Sequence, residues 1–209
     1  MHATAPSTTA ATTQKRNLRW RVVDIVVAAV LGIATGVVFI FWNSVGYAWF
    51  VAADAVTPGL GGIAVGIWLL GGVLGGLVIR KPGAALFVEL LAATVSMLVG
   101  NQWAIETIYS GLAQGLGAEL VFALFLYRRF GLLQAMLAGA AAGVGAWTLE
   151  LFTSGNLQKS PEFLALYLGT LVVSGAILAG LVGWLLVRAI AATGALNRFA
   201  AGQDVAQRV

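Results

Sequence analysis

Cysteine is absent from this chain of 209 residues, and histidine occurs once, as His2. No disulfide, thiolate metal site or cysteine nucleophile is available. Histidine triads, imidazole metal sites and imidazole proton relays are excluded from everything beyond the N-terminal tail. Charge is scarce as well. Asp, Glu, Lys and Arg make up 10% of the residues, against about 25% in ordinary soluble domains. So few charges cannot clothe a water-facing surface. No G-x-x-x-x-G-K-[ST] phosphate loop occurs, so the chain is not expected to hydrolyse ATP. Nucleophile–base pairs are missing too, which argues against an enzyme, and no cofactor is expected.

What remains is oil. Hydrophobic residues are 60% of the chain and the mean hydropathy is +0.92. In lipid every backbone amide and carbonyl must be paired within the protein, so only helices or closed barrels span a bilayer. The apolar runs are long and continuous rather than alternating, which selects helices over barrel strands. The expected fold is an all-α integral membrane bundle of six helices, over 22–42, 58–79, 83–100, 103–127, 132–153 and 163–187. Each approaches the ~20 residues needed to cross ~30 Å of hydrocarbon. Residues 1–17, rich in Ser, Thr and Ala, read as a disordered cytoplasmic tail. Residues 18–190 form one membrane domain, and 191–209 a cytoplasmic C-terminal tail.

The net charge of +4 does not mark a nucleic-acid face, because the basic residues flank hydrophobic segments. With six helices and the N-terminus inside, eleven of the twelve Lys and Arg fall on the cytoplasmic side, and only Lys159 lies outside. That asymmetry is the positive-inside pattern. Both termini are therefore expected in the cytoplasm.

Polar residues inside such a chain need a reason. Counting 1.5 Å per residue, Glu89 lies about 12 Å above Lys81 and Glu119 about 13 Å above Arg128, both near mid-membrane. Asn101, Gln102, Glu106, Gln114 and Glu150 lie toward the outside, with Trp42, Tyr47, Trp103, Tyr109 and Trp147; Trp68 sits halfway down helix 2. Each has a plain structural reading. Trp and Tyr at helix ends form interfacial belts, Asn101 and Gln102 cap helices, and Glu106 and Glu150 sit in water at the rim. Glu89 and Glu119 are harder to dismiss, since a mid-membrane carboxylate costs at least ~2.5–3.5 kcal/mol on insertion scales. The functional reading is an outward-opening polar pocket above two carboxylates. Glycine is abundant, with 27 residues. Ala28, Gly32 and Gly36 form one smooth stripe on helix 1, suited to close backbone approach.

The segments "LRWRVVDIVVAAVLG", "PGLGGIAVGIWLLGGVLGGLVIRKPGAALFVELLAATVSMLVGNQW" and "GLAQGLGAELVFALFLYRR" resemble the YkoE group of S components, the substrate-binding subunits of energy-coupling factor (ECF) transporters. The resemblance spans roughly 18–190. It implies binding of thiamine or its hydroxymethylpyrimidine precursor at the outer face of a prokaryotic plasma membrane. It also implies docking on a transmembrane T component driven by two ATPase subunits or a fused ATPase. Under this resemblance the small stripe on helix 1 serves docking, and the loop "NSVGYAWFVAADAVT" acts as a lid. A self-sufficient carrier or channel for an organic cation, using Glu89 and Glu119, is the competing expectation.

Overall fold

The computed structural model describes residues 18–206, and the N-terminal tail expectation, with His2, lies outside them. The described chain is helical throughout. The helices are α1 (Val22–Val56), α2 (Leu60–Ile79), α3 (Ala84–Val99), α4 (Glu106–Leu124), α5 (Leu132–Thr153), α6 (Pro161–Ala192) and a short α7 (Ala200–Ala206). Among the described residues α1, α2, α5 and α6 are long and apolar enough to cross a membrane. The shorter α3 and the more polar α4 complete a six-helix bundle. Helix α2 is its axis: every residue from Leu69 to Ile79 is buried.

Local sequence explains the boundaries. Gly59, Gly83 and Gly100 take positive φ at the turns around α2 and α3, where a Cβ would be strained. Helix α6 begins at Ser160, whose hydroxyl accepts from the Phe163 amide, with proline in the first turn. That is the expected N-cap arrangement.

Helix α1 departs from expectation. It does not stop at Trp42 but runs 35 residues without a break, about 52 Å. The segment 43–56 is therefore helix rather than a loop-like lid. Asn43, Ser44 and Gly46 favour a loop locally, yet no proline interrupts residues 22–57. The Trp42 indole lies over Gly46 and donates to the Ala64 carbonyl at 2.8 Å, so tertiary contacts carry the helix through.

The first half of α2, Leu60–Leu69, is wound as a 3₁₀-helix, far longer than the usual one turn. Side chains from α6 sustain it. Ser174 Oγ accepts from the Gly66 amide at 2.8 Å and donates to the Ile63 carbonyl at 2.7 Å. Thr170 donates to the Gly59 carbonyl at 2.9 Å. Helix α6 itself contains a π-helical stretch, Gly175–Leu181, where its backbone meets Gly139 of α5.

The stripe Ala28, Gly32 and Gly36 also corrects an expectation. All three residues are buried inside this chain. A Cβ on Gly32 would lie 2.8 Å from Leu91, and one on Gly36 would lie 2.7 Å from Val95. The smoothness lets α1 and α3 approach each other, so it is not a surface kept for a partner. At the C-terminal end Leu196, Phe199 and Ala201 are buried, and α7 packs against α2 and the end of α6.

Glu119 is the third correction. It is held at the N-terminus of α3, accepting from the amides of Gly83 (2.7 Å), Ala85 (2.9 Å) and Leu86 (3.2 Å) and from the Tyr127 hydroxyl (2.7 Å). Burial, and then the Glu119 carboxylate itself, push the Tyr127 hydroxyl above its ordinary range, so it stays a donor. Glu119 thus satisfies amides that a helix start leaves unpaired. It does so beside the basic 80–83 turn rather than in mid-membrane.

Two outcomes follow from this packing. Gly32→Leu should lower the melting temperature of the purified protein, because overpacking costs roughly 1–3 kcal/mol; an unchanged melting curve would return the stripe to the surface. Glu119→Gln should destabilise by about 0.5–2 kcal/mol, the worth of a cap. Its ligand affinity, measured on the folded fraction, should stay unchanged.

Candidate functional site

A cavity of about 310 Å³ opens at the end of the bundle away from the 80–83 turn. Helical periodicity builds its walls. Helix α1 contributes Phe39, Asn43, Tyr47, Phe50 and Asp54, which recur every three or four residues along one face. Helix α3 contributes Glu89, Ala93 and Ser96, and α4 contributes Thr107, Ser110, Gly111 and Gln114, each set on one stripe. Trp68 enters from the end of the 3₁₀ segment and Trp103 from the α3–α4 loop. Glu150, Lys159, Phe163 and Tyr167 close the side formed by α5 and α6.

Glu89 forms part of the floor. It is 1% exposed, and its Oε2 accepts from the Gly72 amide at 2.6 Å. Gly72 lies in the first turn of the α-helical half of α2, where backbone amides lack partners within the helix. Gly71 allows this approach, since a Cβ there would lie 2.9 Å from the carboxylate. The orientation of Gln114 that matches donors to acceptors puts its amide nitrogen 3.2 Å from Glu89 Oε1 and 3.1 Å from the Trp68 carbonyl. Asn43 ties three helices together. It donates to Ser96 Oγ and accepts from Trp68 Nε1, both at 2.9 Å.

Above the floor the cavity is aromatic. Trp103 packs edge-on against Tyr47 and Trp68, with centroids at 5.4 and 5.6 Å. Tyr47 stacks on Phe50 at 6.1 Å and Phe163 on Tyr167 at 5.6 Å. Asn101 positions Trp103: its side-chain oxygen accepts from the Trp103 and Ala104 amides and from Thr107 Oγ1, all at 3.0 Å. This turn holds Ala104 at φ 45°. Four carboxylates line the cavity, Asp54, Glu89, Glu106 and Glu150, against one ammonium, Lys159. Tyr167 donates to Glu150 at 2.5 Å, Asp54 accepts from the Gly59 amide at 2.7 Å, and Lys159 rests 4.0 Å over the Phe163 ring. A low-dielectric pocket with this charge balance favours a cation, and its aromatic faces favour a flat one.

The structure brings together seven of the residues singled out from sequence: Tyr47, Trp68, Glu89, Trp103, Glu106, Gln114 and Glu150. Six stand apart from the lining. Asn101 acts through Trp103, and Gln102 and Tyr109 are exposed. Trp42 supports Trp68 from behind, with centroids at 6.5 Å. Trp147 donates to the Leu164 carbonyl at 3.2 Å, joining α5 to α6. Glu119 caps α3. Sequence reasoning missed Asn43, Phe50, Asp54, Lys159 and Tyr167 as lining residues. The period of Asn43, Tyr47, Phe50 and Asp54 was the available signal for the first three. Lys159, the one outer basic residue, was visible only as a topology mark.

Comparisons with known proteins agree with this geometry. The family model described as "ABC-type cobalt transport system, permease component" matches residues 23–145. A protein of Bacillus subtilis (strain 168) named as an HMP/thiamine permease, YkoE, is 37% identical over 189 residues, covering 90% of this chain and 94% of that one. A solved structure titled as an S component of an ECF transporter superposes with a TM-score of 0.78 at 34% identity. It covers 91% of this chain and 95% of the solved one. On this breadth of match in both sequence and fold, the chain belongs to the YkoE group of ECF transporter S components, multi-pass membrane subunits that bind substrate for transport.

Proposed function

We propose that this protein captures thiamine or its hydroxymethylpyrimidine precursor in the 310 Å³ cavity, at the outer face of a prokaryotic plasma membrane. The observation that carries this reading is the pairing of stacked aromatic rings with four carboxylates in one cavity. Thiamine has an aminopyrimidine ring, a permanently cationic thiazolium and a hydroxyethyl arm. Tyr47, Trp68 and Trp103 offer faces and edges for the rings. Glu150 and Asp54 lie where they balance the cation, and Glu89, with Gln114 beside it, suits an exocyclic amine. The name of the Bacillus relative supports the same substrate class.

As an S component it hands its cargo to a T component driven by two ATPase subunits or a fused ATPase, with surrounding lipid as its other contact. The basic ends of the helices set both termini in the cytoplasm. Partner contact falls on the lipid-facing surface, because Ala28, Gly32 and Gly36 are spent on α3. The competing carrier reading loses ground: Glu119 lies outside the cavity and is occupied by three amides and a phenol. A cobalt cargo, suggested by the name of the family model, finds little support. Among the described residues no three His, Cys, Asp or Glu gather as metal ligands.

Calorimetry on the full-length protein alone, without ATP, should show saturable binding of thiamine with competition by hydroxymethylpyrimidine. A flat titration across both compounds and their analogues would reject the substrate class. Glu150→Gln keeps an oxygen for Tyr167 but removes the charge. A charge-assisted contact is worth roughly 1.5–3 kcal/mol, so thiamine affinity should fall about tenfold or more while the neutral pyrimidine loses less. Equal losses would reassign Glu150 to positioning Tyr167.

A further inference from the structure

A second cavity, of about 280 Å³, lies at the opposite end of the bundle, where the N-terminus of α1, the end of α2 and the C-terminal segment meet. Its lining includes three cations, Arg21, Lys81 and Arg198, with apolar walls from Ile79 and Phe199 and an amide from Gln203. We propose that this cavity binds the phosphate of an anionic lipid headgroup.

The charge balance leaves the site positive. Asp24 is fully buried beside the cavity and forms ion pairs with both Arg21 and Lys81, so it offsets about one of the three charges. Lys81 is further engaged by the Arg19 carbonyl at 2.7 Å. Arg198 has no hydrogen-bond or ion-pair partner among the described residues. Arg21 gives Asp24 only Nε and Nη2, and its side chain stays 54% exposed. Two guanidinium groups with donors to spare, facing one cavity, match the geometry of a phosphate.

The surroundings favour a lipid over a soluble phosphate. Exposed Val22, Ile25 and Val26 begin one residue after Arg21, so an apolar face for acyl chains starts where the basic cavity ends. Basic pockets between helices at the cytoplasmic level are sites where anionic headgroups bind. A headgroup there would bridge α1 to the C-terminal segment, which already touch where Arg21 lies 5.9 Å over the Phe199 ring. The cytoplasmic placement rests on the orientation proposed above; binding itself does not depend on the cargo.

The test uses the full-length protein in an uncharged detergent, titrated with dioctanoyl phosphatidylglycerol, dioctanoyl phosphatidylcholine or inorganic phosphate. Melting temperature and native mass spectrometry are the readouts. Phosphatidylglycerol should bind saturably, raise the melting temperature and lose affinity as salt rises, while phosphatidylcholine should be weaker. R198Q should weaken phosphatidylglycerol about fivefold and leave thiamine affinity unchanged. Equal response to both lipids, or an R198Q variant indistinguishable from wild type, overturns the proposal. Inorganic phosphate binding where phosphatidylglycerol does not would overturn the lipid assignment. Should R198Q melt differently without lipid, salt-insensitive binding of phosphatidylglycerol to the wild type would overturn it instead.

Discussion

A helix start in lipid leaves amide groups with no water to receive them, and this protein meets that constraint with carboxylates. Asp24 accepts from the Arg21 amide, Asp54 from Gly59, Glu89 from Gly72, and Glu119 from Gly83, Ala85 and Leu86. Each of these amides lies where a helix begins, or where a 3₁₀ segment gives way to an α-helix. An anion there is favoured twice, by hydrogen bonds and by the positive end of the helix dipole. Four of the eight acidic residues of this chain are thus placed where backbone polarity requires them.

That use of charge also shapes the candidate cavity. Glu89 is anchored to α2 through Gly72, so its position is set by the fold before any ligand arrives. Asn43, Ser96, Gln114 and Trp68 knit the neighbouring walls together, and Asn101 does the same for Trp103. A pocket whose polar groups are prearranged loses less freedom on binding than one that must order them. The aromatic edges then leave flat spaces between groups already fixed.

Glycine supplies the other half of the design. Gly71 and Gly72 admit Glu89, Gly32 and Gly36 admit α3, and Gly139 meets Gly175 backbone to backbone. Such contacts reward close packing where lipid removes the hydrophobic preference for burying side chains. They also explain why the long 3₁₀ segment persists. With α6 pressed close, Ser174 and Thr170 reach carbonyls and an amide that an α-helix would have paired by itself.

Hydrophobic length and the scarcity of charge were enough, from sequence, for a six-helix membrane bundle, and counting along the helices was enough to gather polar residues toward one end of it. These are one-dimensional properties, because the bilayer imposes one axis and counting residues along it gives depth. Glu89, Trp68, Trp103 and Glu150 were found that way. What depth alone leaves open is azimuth, the direction in which a residue faces around its helix. Ala28, Gly32 and Gly36 suit an inner seam as well as an outer one, and only the packing of α3 against them chose the inner. Glu119 lay at a plausible depth but faced the start of α3 instead of the cavity. The loop-like residues 43–56 became helix, with the contact between Trp42 and Ala64 holding them there. Tertiary contact decides these cases, since the same polar side chain gains as much from a neighbour's unpaired amide as from a ligand.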